Sequence, residues 1–98
     1  MKKGLAQKRR CARLAALFKT LSHPQRLQIL CRLCDGDSTV GDLERECGAP
    51  QPVVSQHLTR MRLEGLVKAR RDGNFMYYRI ADSQIPVLIR GLEKILAS

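Results

Sequence analysis

The sequence predicts a single, mainly α-helical domain carrying one small β-hairpin. Three observations lead there. Apolar residues recur at three- and four-residue spacing in five separate segments, as amphipathic helices require. One Asp-Gly pair, Asp72-Gly73, stands between two short β-prone runs. The 98 residues suffice for one core, and a core that small gains from dimerisation. The predicted order is α-α-α-α-β-β-α, with no internal repeat and no low-complexity segment.

Residues 1–10 read as a basic arm, mobile at its start, and residues 11–98 as the folded domain. Arg10 to Leu21 has helical periodicity, with Cys11, Leu14, Leu17 or Phe18, and Leu21 on one side. Ser22-His23-Pro24-Gln25 is a helix start: Ser22 can cap, Pro24 sits in the first turn, and Gln25 stands three residues after the cap. That helix runs through Cys34, with Leu27, Leu30, Cys31, Leu33 and Cys34 inside and Arg26 and Arg32 outside. Asp35-Gly36-Asp37 ends it. Ser38 or Thr39 caps a short third helix, whose inner stripe is Val40, Leu43 and Cys47 and whose acids Asp42, Glu44 and Glu46 face out. Gly48 closes it, and Ala49-Pro50 turns the chain.

The fourth helix, Gln51 to Glu64, has two unlike faces. Val54, Leu58 and Met61 form an apolar stripe, and the remaining surface is amide, hydroxyl, imidazole and guanidinium. A helix that merely meets solvent would alternate Glu and Lys, whereas residues 51–62 hold no acid. Gln, Ser, Thr and Arg are the side chains that bond to base edges and phosphates. The short Gly-containing turn between an acidic third helix and this fourth one predicts a helix-turn-helix whose second helix enters a DNA major groove. Leu66–Arg71 and Phe75–Ile80 then form the hairpin, both central turn residues being suited to positive φ. Val67 and Ala69 share a face with Met76, Tyr78 and Ile80; Lys68, Arg70 and Arg79 line the other. Of Tyr77 and Tyr78, one faces the core and the other solvent. A basic hairpin in this place is the wing of a winged helix-turn-helix. A last helix from about Ser83 to Ala97, capped at Ser83, carries Ile85, Leu88, Ile89, Leu92, Ile95 and Leu96. That broad band predicts a homodimer contact shared with the first helix.

The formal charge is +9, and Lys2, Lys3, Lys8, Arg9, Arg10 and Arg13 crowd the first thirteen positions without an acid. Such a balance favours a polyanionic partner. No apolar run approaches the roughly 20 residues that span a bilayer. Arg13 interrupts the apolar stretch a signal peptide would need, so the protein is expected in the cytoplasm with thiols rather than disulfides. The expected DNA contacts are Gln51, Ser55, Gln56, His57 and Arg60 on the helix, with Arg70, Arg71 and Asn74 on the wing. His57 has an alternative role, supporting its helix by a hydrogen bond. The two histidines and the unclustered carboxylates form no metal site, and no cofactor is expected.

With the elements in order, the chain resembles the ArsR/SmtB family of bacterial winged-helix repressors. The resemblance runs from about Ala12 to the end. It rests on Leu17-Phe18-Lys19-Thr20-Leu21-Ser22-His23-Pro24-Gln25-Arg26-Leu27, Ser55-Gln56-His57-Leu58, Glu64-Gly65-Leu66-Val67, and Arg70-Arg71-Asp72-Gly73 with Tyr77-Tyr78. It implies a homodimer bound to an inverted-repeat operator in double-stranded DNA and released by a small inducer. Pro50 departs from the capping Ser or Thr usual there, which removes a cap bond of about 1 kcal/mol. Thr39-Val40-Gly41 stands where one metal-sensing class has Cys-x-Cys. Asp82 matches a ligand of another class, but Gln84, Ile95 and Ser98 replace its histidines.

Arg26-Leu27-Gln28-Ile29-Leu30-Cys31 looks most like the thiol-sensing branch that includes HlyU, BigR and SqrR. There a cysteine matching Cys31 pairs with one near the end of the last helix, but this chain ends Ile95-Leu96-Ala97-Ser98. Cys34, one helical turn away, and Cys11 on the first helix are the substitute partners. Three readings of the cysteines, Cys47 included, stay open: apolar filler, thiol sensing by oxidation or persulfidation, and binding of a soft metal or arsenite. A regulator without an inducer is a further alternative. A thiol-redox enzyme built on Cys31-Arg32-Leu33-Cys34 is disfavoured, because the pair sits at a helix C-terminus where the dipole opposes a thiolate. A non-specific chromosome-organising protein is disfavoured by the helix-turn-helix spacing.

Overall fold

A computed structural model describes residues 2–97. The side chains of Lys2 and Lys3, two charges of the expected arm, and Ser98 lie outside the described residues. The elements are α1 (Lys2–Leu21), α2 (Pro24–Cys34), β1 (Ser38–Thr39), α3 (Val40–Cys47), α4 (Gln51–Leu63), β2 (Val67–Asp72), β3 (Phe75–Ile80) and α5 (Gln84–Ala97). The helices and hairpin follow the expected order, with one short strand added. The sheet is antiparallel in the order β1-β3-β2.

Helix α1 begins at Lys2, well before Arg10. Apart from Gly4, residues 2–10 are good helix formers without a proline, so the helix continues through the basic stretch. Ser22 does not cap α2. Its hydroxyl donates back to the Lys19 carbonyl at 2.8 Å, closing α1. His23 is the N-cap instead, its Nδ1 accepting the Gln25 N–H at 3.3 Å. The α3 cap is Thr39, whose Oγ1 accepts the Asp42 N–H at 3.2 Å. Thr39 is also half of β1, opposite Tyr77, while Ser38 lies opposite Tyr78. Two residues carry no period, so this strand is invisible before the fold brings β3 beside it.

Gly48 takes the left-handed conformation (φ 65°, ψ 28°) and returns its N–H to the Glu44 carbonyl. Pro50 caps α4 with its carbonyl alone, without a side-chain bond. The hairpin register is the expected one: Val67 opposes Ile80, Ala69 opposes Tyr78, and Lys68 opposes Arg79. Its turn differs. Asp72 pairs with Phe75, so the central residues are Gly73 and Asn74, and of these only Gly73 has positive φ (62°). Helix α5 starts at Gln84, directly after Ser83 as expected, but its cap differs. The Asp82 carboxylate, rather than Ser83, accepts the Gln84 N–H at 2.9 Å.

The core lies where α2, α3, α4, β2 and α5 converge. Ile29, Leu30, Leu43, Val54, Leu58 and Met61 are each 0% exposed, and Leu33, Val67, Ile85 and Ile89 join them. Ile29 widens the inner face of α2 beyond the expected Leu27, Leu30, Cys31, Leu33 and Cys34. Tyr78 packs against this core, and Tyr77 lies on the outer strand face beneath Arg70. Leu14 and Phe18 of α1 and Leu92 and Leu96 of α5 remain exposed.

Leu58 stands at the centre of this packing, so Leu58→Ala is expected to cost about 2–5 kcal/mol, read as a lowered urea midpoint. A loss below about 1 kcal/mol would contradict a dry junction there.

Candidate nucleic-acid interface

Helix α4 places its apolar stripe inward at no exposure, which forces the opposite side out. Gln51, Gln56, Thr59 and Arg60 are exposed and Ser55 half-buried, all on that outward side. The first turn holds no acid, and the last turn adds Arg60 and Arg62. The acids of α3 are partly neutralised where they stand: Asp42 pairs with Arg45, and Glu46 pairs with Arg32 of α2 at 2.6 Å. Arg32 is therefore tied to the neighbouring helix rather than pointing outward.

An open cleft of about 560 Å³ runs beside α4, lined by Ser55, Gln56, His57, Thr59, Arg60 and Leu63 with Arg26 from α2. Arg26, an outward charge by sequence, has a partner here. Its Nε donates to His57 Nδ1 at 3.4 Å, across 31 residues of sequence. His57 Nε2 meets Gln25 Oε1 at 3.1 Å, and the His23 ring stands edge-on at a centroid distance of 4.5 Å. Both bonds are satisfied by a neutral imidazole protonated on Nε2, the tautomer assigned from these partners. Burial lowers the His57 pKa, and His23 and Arg26 lower it further. His57 therefore ties α4 to α2 while its ring still lines the cleft beside Gln56 and Arg60. Its alternative supporting role matches the geometry.

Glu64 forms a second tie. Its Oε2 accepts from the buried Thr20 hydroxyl of α1 at 2.6 Å, and its Oε1 lies 3.7 Å from Arg60 Nε. One carboxylate thus anchors the end of α4 and steers Arg60. On the wing, Arg70 is engaged by Asp37 at 3.4 Å and Asp72 at 3.7 Å while stacking over Tyr77 at 4.7 Å. Arg71 and Asn74 are exposed at the tip. The structure brings together Gln51, Ser55, Gln56 and Arg60, sets Arg71 and Asn74 on the adjoining hairpin, and commits His57 and Arg70 to protein partners. Thr59 and Arg26 are additions. Thr59 follows Ser55 by one helical turn and was legible; Arg26 carried no local signal.

All four cysteines are free thiols. Cys11 is exposed on α1, and Cys47 is half-buried at the end of α3. Cys31 and Cys34 share the last turn of α2, facing α5. Burial pushes the Cys31 thiol up, and Cys34, Glu93 and Asp35 add to it. Burial raises Cys34 also, with Arg90 opposing and Asp35 and Glu93 reinforcing. Burial and then Glu46 raise Cys47. Such thiols hold less thiolate at neutral pH than a free cysteine. Among the described residues no three His, Cys, Asp or Glu side chains cluster as a metal site, and no helix is long and apolar enough to cross a membrane.

Residues 23–69 match the family model described as bacterial regulatory protein, arsR family. The biofilm growth-associated repressor of Xylella fastidiosa (strain Temecula1) is 38% identical over 90 residues, which cover 92% of this chain and 79% of that protein. The crystal structure of the transcriptional repressor BigR from Xylella fastidiosa superposes with a TM-score of 0.84 at 36% identity, covering 97% of this chain and 95% of that one. A homodimeric winged helix-turn-helix DNA-binding domain from Mycobacterium bovis gives 0.82 at 30% identity, covering 93% and 84%.

His57 makes stability depend on acidity. Its folded pKa lies below the ordinary value of about 6.5, so as pH falls through that region the unfolded chain takes up a proton that the fold resists. The contribution is complete above the ordinary value and lost below it. The urea midpoint is expected to fall between about pH 7.5 and about pH 5.5, and to fall less in His57→Gln. Equal falls in both proteins would show that this imidazole is not held neutral.

Proposed function

This chain belongs to the arsR family of bacterial regulatory proteins, and we propose that it is a cytoplasmic, homodimeric repressor of transcription that reads an inverted-repeat operator in duplex DNA. The observation that carries this is the acid-free outward side of α4, backed by side chains at 0% exposure. Gln51, Ser55, Gln56, Thr59 and Arg60 touch base edges or adjacent phosphates. Arg71 and Asn74 hold the flanking backbone, and Arg70 joins them by exchanging its exposed carboxylate partners for phosphate. Arg26 lies close enough to the same cleft to add a phosphate contact. The charge of +9 supplies the long-range attraction. The role is binding, as the relatives' descriptions as repressors and regulators suggest, and not catalysis.

The dimer contact is supported by the open apolar sides of α1 and α5. Leu14 and Phe18 are about half exposed, at 52% and 53%, on a helix whose last residue, Leu21, packs into the core. A second copy covers them at the gain of apolar burial. Pairing through α1 and α5 presents two copies of α4 to one duplex, about one helical turn apart.

For the inducer we favour thiol chemistry at Cys31 with Cys34, or with Cys11 of α1. Cys31 and Cys34 face α5, so joining or modifying them would move a helix of the dimer contact. A peroxide can couple the two thiols, which give up two protons and two electrons as its O–O bond is reduced to water. A bridge within one helical turn is strained and readily reduced. The raised thiol pKa values favour a second reading, a regulator without an inducer at these cysteines. Soft-metal or arsenite binding by Cys31 and Cys34 would use the same pair.

In gel-shift titrations with a duplex selected from a random pool, Arg60→Ala is expected to lose about 1–3 kcal/mol on the selected site and less on random DNA. Arg71→Ala should weaken both alike and reduce the salt slope by about one. Equal losses on all sequences from both variants would remove Arg60 from base contact.

Affinity should also fall when the reduced protein is treated with peroxide or persulfide, and Cys31→Ser should abolish that response. An unchanged affinity in every condition, metal ions and arsenite included, would establish the inducer-independent reading.

A further inference from the structure

Nine large apolar side chains are exposed among the described residues. Three lie on α1 and four on α5, the two helices of the proposed dimer contact. The remaining two, Leu63 and Phe75, lie on α4 and on the wing. Leu63 closes one end of the cleft beside α4. Phe75 stands alone at the tip of the hairpin, 60% exposed.

The backbone holds that ring outward. Phe75 pairs with Asp72 across the Gly73-Asn74 turn, on the strand face opposite Met76 and Tyr78. Tyr78 packs against the core, so Phe75 points away from it. Tyr77, next on the same face, is stacked under Arg70, which leaves no aromatic neighbour for Phe75. Arg71 and Asn74, its tip neighbours, are exposed as well. A two-residue turn needs no aromatic ring for its own stability, and its strands are already registered by six facing pairs. An apolar ring at the end of a cationic finger suits a surface with negative rims and an apolar interior.

The minor groove of duplex DNA is such a surface. Phosphates line its edges, and apolar side chains driven between base pairs there unstack a step and bend the duplex. We infer that Phe75 inserts into the minor groove beside each half-site as a wedge, with Arg71 and Asn74 holding the flanking backbone. The wedge rests on the operator reading above and extends it. Flexible pyrimidine–purine steps, TA and CA/TG, unstack at least cost, so Phe75 selects sequence where the wing makes no hydrogen bond to a base. The hairpin's Lys68, Arg70, Arg71 and Arg79 outweigh the single acid Asp72 that faces the ring, and this positive balance favours DNA over an apolar partner protein.

The test uses the full chain and the duplex it selects from a random pool. Within that duplex, 2-aminopurine replaces adenine at each flanking step in turn. Binding of the wild-type protein should raise the fluorescence at one flanking step per half-site. Phe75→Ala should abolish the rise while keeping affinity within about tenfold, and Phe75→Leu, which retains an apolar wedge, should restore part of it. Circular dichroism of the unbound variants checks that the hairpin is intact. A rise that persists in Phe75→Ala, or is absent from the wild-type complex at every step, overturns the wedge and leaves the operator reading standing. Failure of the wild-type protein to enrich any sequence overturns the operator reading, and the wedge with it.

Discussion

The fold depends on one dry junction. Val54, Leu58 and Met61 of α4 meet Ile29, Leu30 and Leu33 of α2 and Leu43 of α3 with almost no water access. A helix buried along one stripe has no rotational freedom about its axis, because turning it would trade methyl groups for hydroxyls and guanidinium in the core. The direction in which Gln56 and Arg60 point is thus a consequence of hydrophobic packing on the other side of the helix. Pro50 shortens the capping of α4 without weakening this, since the buried stripe holds the helix after its first turn.

Around the junction lies a ring of polar ties that bind the outer elements to α4 and the wing. His57 joins α4 to Gln25 and Arg26 of α2. Glu64 joins α4 to Thr20 of α1. Asp37 joins the loop after α2 to Arg70 of the wing. The exposed pairs among these are individually weak in water and screened by salt. That weakness suits a nucleic-acid surface: Arg60 and Arg70 can leave a carboxylate for a phosphate at small cost, while the shorter, part-buried Thr20–Glu64 bond keeps its place.

The same geometry links the cysteines to the far side of the molecule. Cys31 and Cys34 occupy the end of α2 against α5, and α5 continues past the core into the open band of Leu92 and Leu96. Those thiols thus lie near Arg90 and Glu93, midway along the helix proposed to bind the second copy. Their raised pKa values have a local cause, burial beside acids, and fit thiols that stay protonated at rest.

Much was legible in the sequence because it is local. Apolar spacing placed five helices, the alternation of Val67, Ala69, Met76, Tyr78 and Ile80 set the hairpin faces, and Thr39 with Asp42 marked a cap, since each of these depends on residues within one or two turns. The acid-free outward side of α4 was legible for the same reason. The tertiary structure alone decided what depends on distant partners. Arg26 and His57, 31 residues apart, became a tie between helices rather than two free polar groups. Arg70 found Asp37 across 33 residues, and Ser38-Thr39 became a strand only beside Tyr77 and Tyr78. Local periodicity states which side of an element is buried; which polar groups stay free for DNA is settled by which other element arrives next to them.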